Sequence, residues 1–475
     1  MTNASSLQQV FQTQYDASRA PIEVPLGVRL DRLRRMQALI NEHSAALARA
    51  VQTDFGVRSA QLTEIADLLV LRSLLCHTLK ALPKWMKPQR VSTPLYLQPS
   101  HAYLQRQPLG VVGVVSPWNY PVQLALGPVI TALAAGNRVM LKPSELTPAT
   151  SALLAELIGQ RFAPDELCVL LGDAALSAEF CALAFDHLFF TGSTQVGRKV
   201  AQSAAANLTP TTLELGGKSP CVVDVSCTHA ELEQAALKIA HGKLLNAGQT
   251  CIAPDYLLLP RGMEVAFTAA FDKAVAQLFP TVIGNPDYAA IISEHHLARL
   301  DTLLAEAAAG GAQLHRPAGP EATPSPGARQ FAPVVVFNPP GDSALLREEI
   351  FGPILPVVAY DNLQGAITHI NAGPRPLALY WFGTDKAARE QLLARTVSGG
   401  VTVNDTLMHI AHENLPFGGV GASGWGSYHG EAGFLRLTHQ KSVLVQSKWA
   451  RSDLLYPPYG KQFEQLMGLI KRFLC

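Results

Sequence analysis

The chain has 475 residues, of which 48% are hydrophobic and 16% charged, a composition that is typical of a well-buried globular protein and excludes a disordered chain. Because 38 Lys and Arg residues balance 37 Asp and Glu residues, the net charge is +1, which excludes any general electrostatic attraction to nucleic acid. The chain is longer than a single hydrophobic core usually accommodates, so two or three domains are predicted.

The seven cysteines are spaced without a CxxC pair and without a Cys/His pattern typical of a metal site. This odd count predicts neither a disulfide framework nor a bound metal. Residues 1–15 are polar and lack the apolar stretch of a secretion signal. No stretch reaches the roughly 20 apolar residues needed to cross a bilayer. We therefore expect a reduced, cytoplasmic protein without a nucleic-acid partner or a stable membrane anchor.

Residues 1–90 are predicted to be helical. Apolar residues between Leu30 and Val51 recur at spacings of three, four and seven, which gives one apolar stripe, and Gly56 is expected to end this helix as a C-cap. A second helix is predicted from Leu62 to Leu82, ending near Pro83. Three arginines of the first helix are interpreted as a solvated face: Arg32, Arg34 and Arg35.

Strands and helices alternate from residue 108 onward. Short apolar runs predict strands at 111–115, 138–141, 167–171 and 187–190. A helix is predicted at 122–135, and Thr147 followed by Pro148 predicts an N-cap and the first residue of another helix. This alternation predicts an α/β fold built on doubly wound parallel sheets, which bind ligands beyond the carboxyl ends of their strands.

A second α/β pattern follows residue 251. It includes a predicted helix at 294–309 and a strand at 334–337. Between them, residues 317–330 are rich in Pro, Gly and Ala and are predicted to form a surface loop. Residues 463–474 are predicted to form a short amphipathic helix, which we expect to pack on the protein surface rather than on a membrane.

A turn before a predicted helix is a candidate phosphate-binding element. No Gly-x-Gly-x-x-Gly follows an early strand, but the run 189–197 (FFTGSTQVG) ends a strand and opens a helix. Gly192 and Ser193 can direct backbone N–H groups and a hydroxyl towards a pyrophosphate there, although such a turn is more often only a helix cap. Lys142 and Glu145, beyond a neighbouring strand, add a donor and a carboxylate suited to ribose hydroxyls, which favours a dinucleotide.

Two further segments carry a thiol and a carboxylate. Cys251 lies in the run 246–255 (NAGQTCIAPD), and Glu214 lies 37 residues upstream in the run 213–218 (LELGGK). A thiolate attacks carbonyl carbons, and the resulting thioester needs an activated water to leave, so these two residues suit a nucleophile and a base.

Asn119, between two prolines in the run 116–121 (SPWNYP), can donate an amide hydrogen to an oxyanion, although Asn before a helix is more often a cap. The acidic-aromatic run 348–353 (EEIFGP) could hold a ribose through Glu349 and support it with Phe351.

The order and spacing of these segments resemble the aldehyde dehydrogenase superfamily over roughly residues 25–445. The matching segments are 117–119 (PWN), 142–145 (KPSE), 191–193 (TGS), 214–218 (ELGGK), 248–251 (GQTC), 349–353 (EIFGP) and 416–419 (PFGG). The runs 251–256 (CIAPDY) and 424–430 (GWGSYHG) are similar to the class 3 branch. Within that branch, 53–56 (TDFG), Arg58-Ser59 and 419–424 (GVGASG) resemble bacterial coniferyl aldehyde dehydrogenases.

The resemblance implies a division of the chain and of the chemistry. Residues 1–90 and 108–215 would bind the dinucleotide, 216–404 would form the catalytic domain, 91–107 and 405–445 would form bridging segments for a homodimer, and 446–475 would be a tail. Cys251 would be the nucleophile, Glu214 the base and Asn119 the oxyanion donor. Ten residues would contact the cofactor: Trp118, Lys142, Glu145, Gly192, Ser193, Gly197, Leu215, Gly216, Glu349 and Phe351.

The expected reaction is the NAD-dependent oxidation of an aldehyde to an acid, with NADP accepted in part, because a carboxylate at Glu145 repels a 2′-phosphate. Aromatic or medium-chain aldehydes are expected as substrates, with coniferyl aldehyde named by the resemblance. Trp118 and Tyr120 on either side of Asn119 are expected to make the approach to Cys251 largely apolar.

Three alternatives remain open at this level. An acylating dehydrogenase would transfer the acyl group to another acceptor and needs no water-activating carboxylate, so Glu214 argues against it. A thiol hydrolase needs a histidine beside Cys251, and the nearest in sequence is His241. A catalytically idle protein would not be expected to keep Cys251, Glu214 and Asn119 together.

Overall fold

A computed structural model describes residues 4–317 and 329–474. The helices are α1 (Ala4–Arg19), α2 (Leu26–Phe55), α3 (Ala60–Thr63), α4 (Val70–Trp85), α5 (Gln123–Ala134), α6 (Pro148–Gly159), α7 (Ala174–Cys181), α8 (Thr194–Ala205), α9 (His229–Leu244), α10 (Glu264–Leu278), α11 (Glu294–Ala309), α12 (Ala344–Arg347), α13 (Leu363–Ala372), α14 (Lys386–Arg395), α15 (Gly430–Arg436) and α16 (Lys461–Leu474). The strands are β1 (Gln89–Val91), β2 (His101–Pro108), β3 (Val111–Val115), β4 (Arg138–Lys142), β5 (Leu167–Val169), β6 (His187–Gly192), β7 (Thr211–Leu215), β8 (Pro220–Val223), β9 (Tyr256–Pro260), β10 (Gln313–His315), β11 (Val334–Phe337), β12 (Ile354–Tyr360), β13 (Ala378–Phe382), β14 (Gly400–Val403), β15 (Gly424–Trp425) and β16 (Thr438–Val445).

The strands form three sheets, two of them largely parallel. The first has the order β15-β7-β6-β3-β4-β5, in which only β15 runs antiparallel to its neighbour. The second has the order β10-β11-β12-β9-β8-β13-β14, in which only β10 is antiparallel. The third is the antiparallel sheet β1-β2-β16. The predicted α/β class with doubly wound parallel sheets is confirmed.

The apolar stripe of α2 packs against α5 and α6, the helices that lie on the first sheet. Its inward face is fully buried and belongs to the same core as α4, α5 and α6. Gly56 ends α2 with a φ of 80°, as predicted for a C-cap glycine. The second predicted helix ends near Pro83 as expected, since α4 stops at Trp85. Trp85 is buried and packs against Phe434.

The interpretation of the arginines of α2 as a solvated face is wrong. Arg32 is buried, and its guanidinium lies 3.0 Å from a carboxylate oxygen of Glu166. Arg35 reaches the other oxygen of Glu166 at 3.0 Å, and only Arg34 is exposed. Because Glu166 lies more than a hundred residues further along the chain, the local sequence could not reveal this pairing.

The N-terminus of α6 is capped by a residue distant in sequence. Thr147 occupies the predicted N-cap position, but its side chain makes no capping hydrogen bond. Instead, the carboxylate of Asp54 accepts hydrogen bonds from the backbone N–H groups of Ala149 (2.8 Å) and Thr150 (2.9 Å). The Asp54 carboxylate at the end of α2 therefore joins the N-terminal helices to α6, the helix that follows β4 of the first sheet.

The C-terminal helix α16 packs against a neighbouring turn. Leu466 and Ile470 of its apolar face line a cavity of about 370 Å³ with Tyr96 and Leu97. Within residues 4–317 and 329–474, no helix is both long and apolar enough to span a bilayer. Most of the predicted loop 317–330 lies outside the described residues.

Candidate active site

The predicted cofactor segments lie at the carboxyl ends of the strands of the first sheet. We call this end the sheet edge. Lys142 ends β4, Gly192 ends β6 and Leu215 ends β7. In the register of the sheet, Gly192 pairs with Leu215, and Val115 of the intervening strand pairs with Lys142. Since these strands are parallel, the segments that follow them meet at their carboxyl ends, where such sheets bind ligands.

The turn after β6 opens α8. The Ser193 hydroxyl accepts a hydrogen bond from the Val196 N–H at 3.3 Å and caps the helix. A Cβ at Gly197 would approach within 2.5 Å of the Leu215 side chain, so this glycine allows α8 to pack closely on β7. The N-terminus of α8 thus lies at the sheet edge with its backbone N–H groups directed outward, a suitable place for an anionic group.

Lys142 and Glu145 form a pair beside this turn. The Lys142 side chain is almost fully buried, and its ammonium donates a hydrogen bond to Glu145 at 2.8 Å. The carboxylate of Glu145 is 43% exposed, so it remains available to a ligand at the sheet edge. This exposure is what a carboxylate needs in order to accept hydrogen bonds from a ribose.

Glu349 is brought to the same edge by a loop from the second half of the chain. Its side chain lies so close to Gly216 that any Cβ at that position would collide with the carboxylate. Burial raises the pKa of Glu349 to about 8 although the Gly217 N–H donates to it. Phe351, with a φ of 53°, packs edge-on against Trp118 with ring centroids 5.4 Å apart.

Lys218 and Asp255 hold that loop in place. The Lys218 ammonium pairs with Asp255 and donates hydrogen bonds to the backbone oxygens of Leu345 (2.7 Å) and Glu348 (2.9 Å). The other oxygen of Asp255 accepts a hydrogen bond from the Ile350 N–H at 3.0 Å. These contacts explain why a lysine follows the two glycines and an aspartate follows the cysteine segment.

Glu214 is a buried carboxyl group on β7. Only 3% of the residue is exposed, and neither carboxylate oxygen has a hydrogen-bond partner within the described residues. Burial therefore raises its pKa well above the usual range for glutamate. Glu214 is therefore not a surface glutamate, and a strongly perturbed carboxyl group of this kind is typical of a functional site.

Cys251 lies in a turn between α9 and β9. Burial, with smaller contributions from the carboxyl groups of Glu349 and Glu214, raises the pKa of this thiol to about 12. Both carboxyls are thus within electrostatic reach of the sulfur. The thiol is protonated at neutral pH in this environment, so attack on a carbonyl requires that its proton be removed.

The segment before Cys251 is held in an unusual backbone conformation. Asn246 and Ala247 have φ values of 53° and 52°, and Gly248 follows at 77°. Left-handed non-glycine residues are strained and persist where the surroundings fix them. Here the buried Gln249 side chain donates to the oxygens of Asn246 (2.9 Å) and Ala290 (3.0 Å) and fixes the turn.

Asn119 is tied directly to the cysteine turn. It is 3% exposed, and its side-chain amide donates a hydrogen bond to the Gln249 oxygen at 3.1 Å. Next to it, the Tyr120 hydroxyl lies 2.6 Å from that of Thr250. The alternative role of Asn119 as a helix cap is excluded, since Asp67 accepts the first hydrogen bonds of α5.

His241 does not fit a thiol-hydrolase site. It lies in α9, burial lowers its pKa, and no hydrogen bond joins it to Cys251. Among the residues that the structure describes, no cluster of His, Cys, Asp and Glu could hold a metal ion. The sequence interpretation named Arg58 only as part of a family resemblance and gave it no role in the site, and it did not name Asp67, which only its charge distinguishes locally.

Comparisons with known proteins agree with this geometry. The family model described as "Aldehyde dehydrogenase family" matches residues 2–443. A coniferyl aldehyde dehydrogenase of Pseudomonas sp. is 46% identical over 453 residues, covering 95% of this chain and 93% of that protein. A probable coniferyl aldehyde dehydrogenase of Pseudomonas aeruginosa is 44% identical over 463 residues, covering 98% and 96%. The substrate-bound structure of Staphylococcus aureus AldH has a TM-score of 0.90 at 35% identity, covering 98% of this chain and 99% of that one. The chain belongs to the aldehyde dehydrogenase family.

Proposed function

We propose that this protein oxidises an aldehyde to a carboxylic acid, with NAD(P) as the hydride acceptor, through a thioester on Cys251. The observation that carries the proposal is the arrangement of three groups. The Cys251 thiol lies within electrostatic reach of the buried carboxyl of Glu214, which has no hydrogen-bond partner among the described residues. The amide of Asn119 is hydrogen-bonded to the turn that carries the thiol. A nucleophile, a base and a neutral donor are what this reaction requires.

The edge of the first sheet fits a dinucleotide. The N-terminus of α8 at Ser193 suits a pyrophosphate, and Lys142 with Glu145 suits ribose hydroxyls. Glu349 has a buried oxygen, Oε1, without a hydrogen-bond partner in the described residues, and a second ribose would supply one. Trp118, Gly192, Gly197, Leu215, Gly216 and Phe351 complete the proposed cofactor site.

The first part of the proposed cycle forms a covalent adduct. The thiol of Cys251 loses its proton to solvent, and the sulfur attacks the aldehyde carbon. The carbonyl oxygen becomes an oxyanion, which accepts hydrogen bonds from the Asn119 amide and the Cys251 backbone N–H. Bound NAD(P) supplies the acceptor for the hydride that leaves this carbon, and a thioester remains on Cys251.

The second part releases the acid. The carboxylate of Glu214 takes a proton from water, and the oxygen attacks the thioester carbon. The carbon–sulfur bond then breaks, which gives the acid and restores the Cys251 thiolate. An acylating dehydrogenase would not need this base, so the buried carboxyl of Glu214 favours hydrolysis.

For the substrate, we expect the catalytic efficiency to rise from acetaldehyde to hexanal, benzaldehyde and coniferyl aldehyde. Tyr428 is within electrostatic reach of Glu214 and Cys251 and packs edge-on against Phe417 and Phe189, which supports an aromatic-lined approach. Each buried methylene contributes about 0.8 kcal/mol, so hexanal should exceed acetaldehyde by about 10²-fold in kcat/KM. Absorbance of the reduced nicotinamide gives the rates, and chromatography identifies the acids.

The similarity to coniferyl aldehyde dehydrogenases supports coniferyl aldehyde as the best substrate of this series. Cinnamaldehyde is the matched control, because it keeps the conjugated aldehyde and lacks the ring substituents. If acetaldehyde gave the highest efficiency, both the apolar approach and the proposed substrate class would be wrong.

For the cofactor, we expect NAD to be preferred over NADP, and Glu145→Gln to reduce that preference by about tenfold, since the carboxylate repels a 2′-phosphate. The measurement is kcat/KM for each dinucleotide at saturating aldehyde. Glu156→Gln, at an exposed glutamate on α6, is the matched control and should leave the ratio unchanged. A wild-type enzyme more efficient with NADP would show that Glu145 does not act on the ribose.

We propose that residues 1–90 with 108–215 bind the dinucleotide, that 216–404 form the catalytic domain, and that 91–107 with 405–445 join two copies as a homodimer. The outer edge of β16 has no partner strand within the described chain, and its last residues, Leu444 and Val445, are 51% and 39% exposed. An unpaired edge strand with exposed apolar residues at its end favours association.

A further inference from the structure

A fully buried ion pair lies behind the candidate active site. The guanidinium of Arg58 is 2.7 Å from the carboxylate of Asp67, and both side chains are 0% exposed. Removing two charges from water is costly, and such a pair by itself is weak evidence for stability. Asp67 also lies in a π-helical turn, Glu64–Leu69, a backbone form found often at functional sites.

Arg58 contacts both loops that carry the proposed chemistry. Its Nη1 donates to the backbone oxygen of Asn119 at 2.6 Å and to the side-chain oxygen of Asn246 at 3.1 Å. The Asn246 amide in turn donates to the same Asn119 oxygen at 3.0 Å. One guanidinium therefore fixes the position of the proposed oxyanion donor relative to the strained turn that leads to Cys251.

Asp67 fixes the other side of the Asn119 turn. Its second oxygen accepts hydrogen bonds from the backbone N–H groups of Val122 (3.2 Å) and Gln123 (3.0 Å), where α5 begins. The Arg58 guanidinium also lies 5.0 Å from the ring centroid of Tyr120. The segment between β3 and α5 is thus held by this ion pair at Asn119 and at the start of α5.

We propose that Arg58 and Asp67 are positioning residues that set the distance between the Asn119 amide and the Cys251 sulfur, and so control the rate of thiohemiacetal and thioester formation. This inference rests on the proposed function. Catalytic groups must be held within about 0.5 Å of the productive geometry. A displacement of about 1 Å can lower a rate by about 10²-fold.

The principal test is the double variant Arg58→Met/Asp67→Asn. Methionine fills the space of the arginine stem, and the asparagine oxygen still accepts from the N–H groups of α5, so no charge is left buried and unpaired. We expect the rate constant of the pre-steady-state burst of reduced nicotinamide to fall by about 30-fold. The dissociation constant for NAD and the melting temperature should stay close to those of the matched control.

The matched control is Arg32→Met/Glu166→Gln. It neutralises the partly buried contact between Arg32 of α2 and Glu166 before β5, which makes no hydrogen bond to the Asn119 or Cys251 turns. Arg35, the second partner of Glu166, keeps its ion pair with Asp31. We expect this control to keep the wild-type rate constant of the burst. A wild-type burst in Arg58→Met/Asp67→Asn would overturn the inference, as would a loss of NAD affinity parallel to the loss of burst.

A thermodynamic cycle with Asn119→Ala separates positioning from general structure. Loss of one oxyanion donor lowers a rate by about 10²-fold to 10³-fold. If Arg58 and Asp67 act through Asn119, the two effects share one interaction. Adding the double substitution to Asn119→Ala should then lower the rate constant of the burst by a further factor of less than about three. Full additivity would contradict the inference.

Arg58→Lys provides a second variant in case the double variant folds poorly. Lysine keeps the charge opposite Asp67 but cannot hold Asp67, Asn119 and Asn246 in one planar fork, so we expect a slowed burst with an unchanged melting temperature. A wild-type burst in this variant would overturn the inference. Retained turnover in Cys251→Ala would instead refute the proposed function itself, whichever result the Arg58 variants give.

Discussion

Replacing Cys251 with alanine is expected to lower the steady-state rate of aldehyde oxidation by at least about 10⁴-fold, because no other group can form the covalent adduct. Cofactor binding should persist, since the proposed dinucleotide contacts come from the edge of the first sheet and from the Glu349 loop. Formation of reduced nicotinamide measures the first effect, and quenching of protein fluorescence by NAD measures the second.

Cys227→Ala is the matched control for this experiment. Cys227 is also partly buried, and burial raises the pKa of its thiol to about 11. It lies between β8 and α9, and the carboxyl groups that affect it are those of Glu231 and Asp224 and not those near Cys251. Its loss should leave the rate unchanged. Substantial activity in Cys251→Ala, with Cys227→Ala behaving like the wild type, would remove the nucleophile from the proposed mechanism.

Much of the fold follows from short-range sequence patterns. The apolar stripe of α2 and the apolar runs of β3, β4 and β6 are each contained in one segment, so the sequence predicts their type and nearly their bounds. The order of the strands in the sheets depends on long crossovers. The sequence predicts parallel pairing but not that β6 lies between β3 and β7.

Features that depend on distant partners could not be predicted. Thr147 had the expected sequence of an N-cap, yet Asp54 provides the cap because α2 brings a carboxylate to the same N–H groups. Arg32 lies in a cluster of arginines that predicts exposure, yet it is buried and forms an ion pair with Glu166. In both cases the partner from another element offers a stronger interaction than the local one.

The residues of the candidate site also fall into those that the sequence reveals and those that only the structure reveals. Cys251, Glu214 and Asn119 each lie in a short segment of distinctive residue types, so each could be named from the sequence. Arg58 lies between α2 and α3 and Asp67 in the π-helical turn Glu64–Leu69, and charged residues are usually exposed. Their position behind Asn119 became visible only through contacts that join four separate segments of the chain.

The replacement of Glu214 by glutamine is expected to separate the two halves of the reaction. The amide cannot take a proton from water, whereas formation of the thioester needs only the Cys251 sulfur and the hydride acceptor. General-base catalysis contributes about 10²-fold to 10⁴-fold, so thioester hydrolysis should slow by that factor. A rapid-mixing experiment should show a burst of about one reduced nicotinamide per active site, followed by a slow steady rate.

Glu413→Gln is the matched control, since Glu413 is also buried and burial raises its pKa to about 7. That substitution should leave both the burst and the steady rate unchanged. In the wild type, burial raises the pKa of Glu214, so its base form is lost as the pH falls and the steady rate should rise with pH above the usual titration range of glutamate. If Glu214→Gln lost the burst together with the steady rate, Glu214 would act before the thioester forms, as the acceptor of the Cys251 proton rather than of the proton from water.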